Sequence, residues 1–245
     1  MSETLLVGRD GEIVIARLNR PQRRNALDTE ILGELRKLLE TAEQDDGIRA
    51  LVVTGNEVAF SAGQDLKEPE TPDYVPLIND VFNRLERLAK PTVAAIDGWC
   101  LAGGLELALC CDMRVASATA RIGDWHARIN SIGGAGATVR LTRLLGIAKA
   151  KELVFSGVAF DGEPARSFGL VSYVYDSGDL VDRAIEHART LSAGHPLTVK
   201  YAKRSIEAAT ELPLNEALAF SLRCQSELRA TVDQDLAKAA SIRKA

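Results

Sequence analysis

The sequence predicts an α/β fold that ends in a helical region. Short apolar runs rich in β-branched residues alternate with longer segments in which apolar residues recur every three or four positions. From about Ser177 onward the helical periodicity continues almost without interruption. The chain has 245 residues, of which 46% are hydrophobic and 26% charged, and this composition is typical of a folded protein with one sizeable core.

The strands are predicted first, because apolar and β-branched residues favour a half-buried or buried strand. The strand over Thr92–Ile96 is followed directly by Asp97-Gly98, which predicts a turn and marks its end. The segments expected to be strands are Glu12–Leu18, Arg49–Thr54, Thr92–Ile96, Met113–Ala116 and Leu170–Tyr175.

The helices are identified by apolar stripes and by the residues that start or stop them. Asp28 is expected to cap a helix over Thr29–Asp45. A loop from Pro69 to Pro76 precedes a second helix over Ile78–Leu88, and Lys90-Pro91 ends it. The stripe of the first helix consists of Ile31, Leu35, Leu38, Leu39 and Ala42, and the later helices are predicted over Leu180–Ala193, over Pro196–Thr210 and from Leu214 to the end.

One carboxylate lies in an unusually apolar context, Glu106 within the segment Trp99–Cys111. Just before it, Gly103-Gly104 opens a helix, and the first N–H groups of a helix have no partner inside it and favour negative charge. Desolvation raises the pKa of a carboxyl group, which suits a general acid or base. The segment predicts a site that stabilises an oxyanion or enolate and moves a proton. The alternative is an ordinary Glu in the first turn of a helix, facing solvent.

Long motifs of the chain resemble, in the same order, those of the crotonase (enoyl-CoA hydratase/isomerase) superfamily. Lys90–Asp112 closely resembles the signature of that family, and the resemblance covers roughly residues 5–210. The other matching segments are Arg20–Leu27 (a coenzyme A loop), Ala59–Lys67 (an oxyanion segment), Ile132–Leu141 (a loop and helix) and Ala165–Val171 (a structural motif).

The resemblance implies an architecture that periodicity alone would not give. A spiral of ββα units with the acyl-CoA site is expected over residues 1–192. Residues 193–245 are then the helical region that packs at a trimer interface, and the protein is expected to be a homotrimer or a dimer of trimers.

The resemblance also implies a set of site residues. The backbone N–H groups of Gln64 and Gly103 would form an oxyanion hole for the thioester carbonyl of an acyl-CoA, and Glu106 matches the first of two catalytic glutamates. Coenzyme A is part of the substrate, so no separate cofactor is implied. The coenzyme A contacts would come from Arg23, Arg24, Ala62, Leu66 and Lys67, and the acyl pocket from Trp99, Trp125 and Ile129.

The second glutamate of the family pattern is replaced in this chain. Counting back from Gly134–Gly136, its position falls at His126. Imidazole can replace the carboxylate as an acid or base, since its unperturbed pKa lies near 6.5. The alternative is that His126 only lines the pocket. Asp124, two residues earlier, is expected to face the other way on an extended segment.

The residues leave the reaction open. Hydration or dehydration of a 2-enoyl-CoA is the first hypothesis, with Glu106 and His126 sharing the proton transfers. Movement of the double bond needs only one proton shuttle and would make the protein an isomerase. Hydrolysis of a CoA ester or of a C–C bond would use His126 to activate water. A non-catalytic acyl-CoA binding protein is the alternative outside the enzymes. The motifs of P-loop and dinucleotide-binding enzymes and of nucleophile-elbow hydrolases are absent from the sequence.

Charge and cysteine usage narrow the classes of function. A formal net charge of −4 gives no bulk electrostatic basis for binding nucleic acid or a membrane surface. The sequence has no apolar run of about 18 residues and no basic-then-apolar leader, so we expect a cytoplasmic protein. The histidines have no metal-ligand spacing, and no metal site is expected. Buried reduced thiols are expected at Cys100, Cys110, Cys111 and Cys224.

Overall fold

The computed structural model describes the backbone of residues 4–67 and 71–242 and their side chains as far as residue 232. The chain divides into two compact units, of which the first ends at Leu191 and the second begins at Ser192. Among the helices in this part of the chain, none is long and apolar enough to cross a membrane.

The first unit contains two sheets whose strands are mostly parallel, as the predicted α/β class requires. The larger sheet has six strands in the order β1-β2-β3-β5-β7-β9, with only β1 and β2 antiparallel, and the smaller has three in the order β4-β6-β8. The larger sheet comprises β1 (Leu5–Asp10), β2 (Ile13–Leu18), β3 (Ala50–Thr54), β5 (Thr92–Ile96), β7 (Met113–Ser117) and β9 (Tyr173–Tyr175). The smaller comprises β4 (Ala59–Ser61), β6 (Trp99–Leu101) and β8 (Arg121–Gly123).

Successive strands alternate between the two sheets from β3 to β9. Because β4, β6 and β8 are parallel neighbours, the chain leaves all three at the same edge of the smaller sheet. The residues that follow these strands are Gly63-Gln64, Gly103 and Asp124–His126. This topology therefore brings three distant stretches of sequence to one place.

The described part of the first unit contains seven α-helices. Helix α7 packs on the face of the larger sheet formed by β2, β3, β5 and β7, and its small residues Ala184 and Ala188 are fully buried there. The helices are α1 (Thr29–Gln44), α2 (Tyr74–Arg87), α3 (Gly103–Leu109), α4 (Ala137–Leu145), α5 (Ile147–Ser156), α6 (Gly162–Phe168) and α7 (Leu180–Leu191).

Helix α1 confirms its prediction. The side chain of Asp28 accepts a hydrogen bond from Ile31 N at 2.9 Å, which makes it the N-cap. Helix α2 begins at Tyr74, before the predicted start at Ile78. Pro76 lies in its first turn, where the missing N–H of proline removes no helical hydrogen bond. Residues 68–70, the first part of the predicted loop, lie outside the described residues.

The strand predictions differ from the structure at β9 and at four strands that were not predicted, β1, β4, β6 and β8. Strand β1 was not predicted, because only its first residue, Leu5, is buried. Its end is marked by Gly11-Glu12, the two-residue hairpin turn to β2, with Gly11 at φ +60°. Strand β9 is shorter than predicted, because the N–H of Leu170 donates to Ala165 O and belongs to the end of α6.

The second unit consists of helices α8 (Pro196–Glu211) and α9 (Leu214–Ile242), which pack against each other. The guanidinium of Arg204 lies 5.7 Å from the ring centroid of Tyr201 and 5.6 Å from that of Phe220, so a cation–π contact joins the two helices. The helical periodicity that begins near Ser177 in the sequence corresponds to α7, α8 and α9.

Candidate active site

Where β4 and β6 end, two backbone N–H groups have no acceptor in the described part of the chain. Leu27 N donates to Gly63 O at 2.7 Å and Asp65 N donates to Leu27 O at 3.0 Å, so the residues on either side of Gln64 make the bonds of this parallel bridge. Gly103 is the first residue of α3, where a helical N–H has no internal partner. Within residues 4–67 and 71–242, neither Gln64 N nor Gly103 N donates a hydrogen bond to the protein.

The two N–H groups lie close together because glycines stand at the crossing. A Cβ built on Gly103 would lie 3.3 Å from Gln64 N, and one built on Gly63 would lie 2.8 Å from Gly103 N. Gly63 also has φ +94°, which disfavours any side chain. Ala102 turns the chain from β6 into α3 at φ +49°, and such a conformation costs a non-glycine residue roughly 1–3 kcal/mol. Backbone strain at this position is typical of a functional site.

Glu106 lies one helical turn beyond Gly103 and is 2% exposed. Its Oε1 accepts hydrogen bonds from Ala135 N and Ala137 N, each at 2.9 Å. Burial raises the pKa of Glu106, and the two backbone donors and nearby His126 oppose this without cancelling it. The side chain is therefore held in one orientation and binds a proton more readily than an exposed Glu does.

Helix α2 holds the loop that carries these two donors. Arg140 forms two hydrogen bonds to Glu86 of α2, at 2.9 and 2.6 Å, and its Nη1 donates to Ala135 O at 2.6 Å. Asn79 Nδ2, also on α2, donates to Gly134 O at 3.1 Å. Sequence analysis did not find these residues, because 54 positions separate Arg140 from Glu86 and no local pattern links them.

His126 faces Glu106 across the site, with Nε2 3.9 Å from Oε2 of the carboxylate. It begins a single turn of 3-10 helix that ends at Ile129, and it is 8% exposed. A Cβ built on Gly133 would lie 2.6 Å from Glu106 Oε1 and 3.1 Å from His126 Cε1. A glycine at position 133 therefore leaves room for both side chains.

The expected orientation of Asp124 was wrong, because side chains two residues apart point to the same face even on an extended segment. The segment is not extended there, because β8 ends at Gly123 and the Asp124 side chain accepts a hydrogen bond from His126 N at 3.0 Å, an Asx turn. The turn puts both side chains on one side, with Asp124 Oδ1 2.5 Å from His126 Nδ1. Asp124 is 1% exposed. Burial lowers the pKa of His126, but the hydrogen bond and charge of Asp124, with the charge of Glu106, raise it overall.

The residues expected to contact coenzyme A surround Gln64 on two joined loops. Arg24 O accepts a hydrogen bond from Ala62 N at 3.0 Å, and Lys67 N donates to Asp65 Oδ1 at 3.0 Å. Arg20 Nη2 ties the loops together through Asp28 Oδ2 at 2.8 Å and Asp65 Oδ2 at 3.1 Å. The candidate contacts gathered here are Arg23, half-buried with Nε 3.9 Å from Asp65 Oδ2, Arg24, Leu66 and Lys67, all exposed, and Ala62.

The three residues expected to line the acyl pocket are not brought together. Trp125 precedes His126 and is half-buried beside the guanidinium of Arg128, and Ile129 ends the same helical turn. Trp99 lies at the start of β6, paired with the start of β8, where the guanidinium of Arg121 lies 5.7 Å from its ring centroid. The functional groups lie beyond the opposite end of these strands, so the structure does not bring Trp99 to the site.

Comparisons with known proteins agree with this geometry. The family model described as enoyl-CoA hydratase/isomerase matches residues 8–241. The probable enoyl-CoA hydratase echA8 of Mycobacterium bovis is 36% identical over 99% of this chain and 96% of its own length. The short-chain-enoyl-CoA hydratase of Clostridium acetobutylicum is 34% identical over 98% of this chain and 95% of its own length.

The similarity extends to solved structures. The crystal structure of an enoyl-CoA hydratase from Bacillus anthracis superimposes with a TM-score of 0.90, at 32% identity, over 98% of this chain and 96% of that one. An enoyl-CoA hydratase from Thermoplasma volcanium gives a TM-score of 0.87 at 29% identity, over 97% of each chain. The α/β fold with alternating sheets is thus the fold of these hydratases.

Proposed function

Because the chain belongs to the enoyl-CoA hydratase/isomerase family, we propose that it adds water across the C2–C3 double bond of a 2-enoyl-CoA thioester and catalyses the reverse dehydration. The observation that carries this proposal is the pair of unpartnered N–H groups of Gln64 and Gly103 beside buried Glu106, as found among the described residues. Fixed backbone donors next to an acid–base side chain are what enolate formation requires.

In this mechanism the thioester oxygen accepts hydrogen bonds from Gln64 N and Gly103 N. When a water oxygen bonds to C3, the π electrons of the C2–C3 bond move toward the thioester oxygen, and the enolate charge grows where the two donors already point. Loss of one donor of this kind typically raises the barrier by roughly 3–4 kcal/mol. The donors come from the backbone, so their position depends on the glycines at 63 and 103.

The proton transfers are assigned to the pair of side chains. The Glu106 carboxylate takes a proton from the attacking water, and His126, as imidazolium, donates the Nε2 proton to C2. Support for this division comes from the pKa of His126, which its carboxylate neighbours raise and which favours the charged form. The two residues then do the work that two glutamates do in the family pattern.

The distance between Glu106 and His126 allows both side chains to return to their starting protonation states after a turnover. After one turnover Glu106 is protonated and His126 is neutral, so one proton must pass from Oε2 to Nε2. At 3.9 Å the two atoms are too far apart for a direct hydrogen bond, but one water oxygen can contact both at ordinary hydrogen-bond lengths. The same position suits the water that attacks C3.

Substrate binding is proposed to use the joined loops around Gln64. Arg23, Arg24 and Lys67 supply positive charge for the phosphates of coenzyme A, and the main chain near Ala62 and Leu66 contacts the rest of that group. Trp125 and Ile129, on the turn of His126, are proposed to line the acyl pocket. Trp99 is left out because it lies at the far end of β6. No cofactor is needed for these steps.

We also propose how the chain is divided into regions and how its copies assemble. Residues 1–192 would carry the acyl-CoA site and residues 193–245 the contacts between copies of the chain in a homotrimer or a dimer of trimers. Exposed leucines on α9 support such contacts. We also propose that the protein acts in the cytoplasm.

The test uses crotonyl-CoA with Glu106→Gln and His126→Gln. Both variants are expected to lower kcat for hydration by about 10²–10⁴-fold, the usual contribution of a general acid or base, with smaller changes in KM. Glu40→Gln, on the exposed face of α1, and His187→Gln, bonded to Tyr175, are matched controls expected to keep full activity.

Product analysis separates hydration from the other reactions of this family. Hydration removes the enoyl absorbance without releasing a thiol, CoA-ester hydrolysis releases free coenzyme A, and double-bond migration in D₂O introduces deuterium at C4. Full hydration by Glu106→Gln would overturn the assignment of the base. Thiol release dependent on His126 would make the protein a hydrolase instead.

A further inference from the structure

Asp124 is the buried charged group next to the site for which the proposed reaction has no direct use. Its Oδ1 accepts from both donors of His126, the backbone N–H at 3.0 Å and the ring Nδ1 at 2.5 Å. Its Oδ2 is buried and has no hydrogen-bond partner within the described part of the chain. The carboxylate is thus bound to one residue only, and that residue faces Glu106.

This contact restricts the protonation states of His126. An ionised carboxylate only accepts hydrogen bonds, so the Nδ1 of the ring must carry a hydrogen whether the ring is neutral or charged. The second proton can then be only on Nε2, the atom that lies 3.9 Å from Glu106 Oε2. Only one ring nitrogen is thus able to exchange a proton with substrate or water.

The surroundings of the ring favour the charged form. The charged groups that act on His126 are Asp124, on its own turn, and Glu106, from α3. The positive charge of Arg140, on α4, interacts with Glu106. Helix α5 packs against the turn of His126, but none of its described charged residues interacts with the ring. A buried carboxylate with no other partner is costly unless a cation pairs with it, and the imidazolium is that cation.

We propose that Asp124 is a positioning residue that holds His126 as an imidazolium with its Nε2–H directed into the site, so that an Asp–His pair replaces the second glutamic acid of the family as proton donor. The inference rests on the proposed function, because it presumes that His126 protonates C2. In that step the Nε2–H bond breaks, its electron pair stays on nitrogen, and the proton bonds to C2. Asp124 stays ionised, and its hydrogen bond to Nδ1–H persists in both states.

Asp124→Asn removes the charge with little change of shape. The amide oxygen can still accept from His126 N and keep the Asx turn. We expect kcat for crotonyl-CoA to fall by about 10²-fold or more, as when a carboxylate behind a catalytic histidine is neutralised, with KM changed by less than about threefold. The alkaline limb of the pH profile of kcat should move to lower pH, because His126 loses its proton more readily without the negative charge.

Nuclear magnetic resonance gives a readout that does not depend on activity. The chain has three histidines, so protein labelled with ¹³Cε1-histidine gives few signals. In the wild type His126 should titrate above the ordinary histidine value of about 6.5, and in Asp124→Asn it should titrate at lower pH than in the wild type. A wild-type His126 that titrates at or below about pH 6.5 would overturn the proposal even if the variant does not fold.

A double variant separates positioning from a merely structural role. If Asp124 acts only through His126, Asp124→Asn should lower kcat no further in a His126→Gln background. An equal loss in both backgrounds, with an unchanged pH limb, would mean that Asp124 only supports the fold and would end the proposal. If instead His126→Gln and Glu106→Gln keep wild-type turnover, the proposed function fails, and the titration of His126 alone still decides whether Asp124 holds it charged.

Discussion

At the scale of single residues, the site combines groups that ordinary stability would not favour. Glu106 is a carboxyl group on an otherwise apolar buried helix, where the N–H groups of Ala135 and Ala137 and the nearby His126 and Arg140 compensate its charge. Ala102 has a positive φ at the entrance to the same helix. Features of this kind lower the free energy of unfolding and are retained where they serve chemistry.

Glu106→Gln is therefore expected to increase stability at neutral pH. The pKa of Glu106 is raised above 4.5 in the folded protein, so burial carries no charge penalty below that pH, and the penalty develops as pH rises through the folded-state pKa. Gln keeps an oxygen acceptor for both backbone donors without the charge. The variant should gain on the order of 1 kcal/mol at pH 7, and the gain should shrink toward pH 4. Urea denaturation at several pH values measures it, and a gain that grows on acidification would contradict the assignment.

The sequence predicted the residues that form the site better than it predicted the hydrogen bonds that hold them. Glu106 is recognisable because its apolar neighbours leave no polar face, and Gly103 because a glycine pair opens the helix. A strand period of two already puts positions 124 and 126 on one face, but only the structure shows the hydrogen bond from His126 N that fixes the Asp124 side chain against the ring. Arg140 was missed for a different reason, since its partners come from a helix distant in sequence.

At the scale of elements, helix α2 and the loop before α4 act as one support for Glu106. Arg140 joins Glu86 on α2 to Ala135 O, and the N–H of Ala135 in turn binds Glu106. The Arg140 side chain is only 13% exposed, whereas Glu86 is 39% exposed. Solvent therefore partly screens the Arg140–Glu86 ion pair, and the pair contributes more by fixing the position of the loop than by the attraction of its charges.

Arg140→Gln should loosen this support. We expect the free energy of unfolding to fall by about 1–3 kcal/mol, because hydrogen bonds to charged groups are lost at a half-buried position. The value of kcat should fall more than KM changes, since Glu106 loses its fixed orientation. Arg84→Gln is the matched control, because Arg84 pairs with Asp80 on the exposed face of α2. That control should leave the free energy of unfolding almost unchanged, because solvent screens an exposed ion pair. Equal effects of both variants on kcat would show that α2 does not hold Glu106 in its orientation.

The elements themselves were predictable to different degrees, and the reason is burial. The strands at the centre of the larger sheet, such as β3 and β5, are buried on both faces and read as continuous apolar runs. Strand β1 exposes all but one of its residues, and β8 has only three residues, so neither leaves a pattern of useful length. The association of β4, β6 and β8 into a second sheet is not a property of any local pattern.

At the scale of the whole molecule, the alternation of strands between two sheets explains how one site forms. Residues 64, 103 with 106, and 126 come from three distant stretches of the chain, and they meet because β4, β6 and β8 end at one edge. The first unit accordingly contains each group that the proposed reaction uses. The second unit, α8 and α9, contributes none of these groups.

A stripe of exposed leucines on α9 supports the proposal that copies of the chain contact one another there. Leu214, Leu218 and Leu222 recur every fourth residue and are 74%, 56% and 64% exposed, while Ala217 and Cys224 of the same helix are buried. Leaving such a stripe in water is unfavourable by roughly 25 cal/mol per Å² of apolar surface, so contact between copies should cover it.

The double substitution Leu218→Lys/Leu222→Lys should convert a trimer, or a dimer of trimers, into smaller species when molar mass is measured by light scattering after size-exclusion chromatography. Glu216→Lys, on another side of α9, is the control and should keep the native mass. Because the charged lysines would face water in the separated chain, its circular dichroism should stay close to that of the native protein. A wild-type protein that is monomeric at micromolar concentration, or a double variant of unchanged mass, would show that this stripe is not where copies of the chain meet.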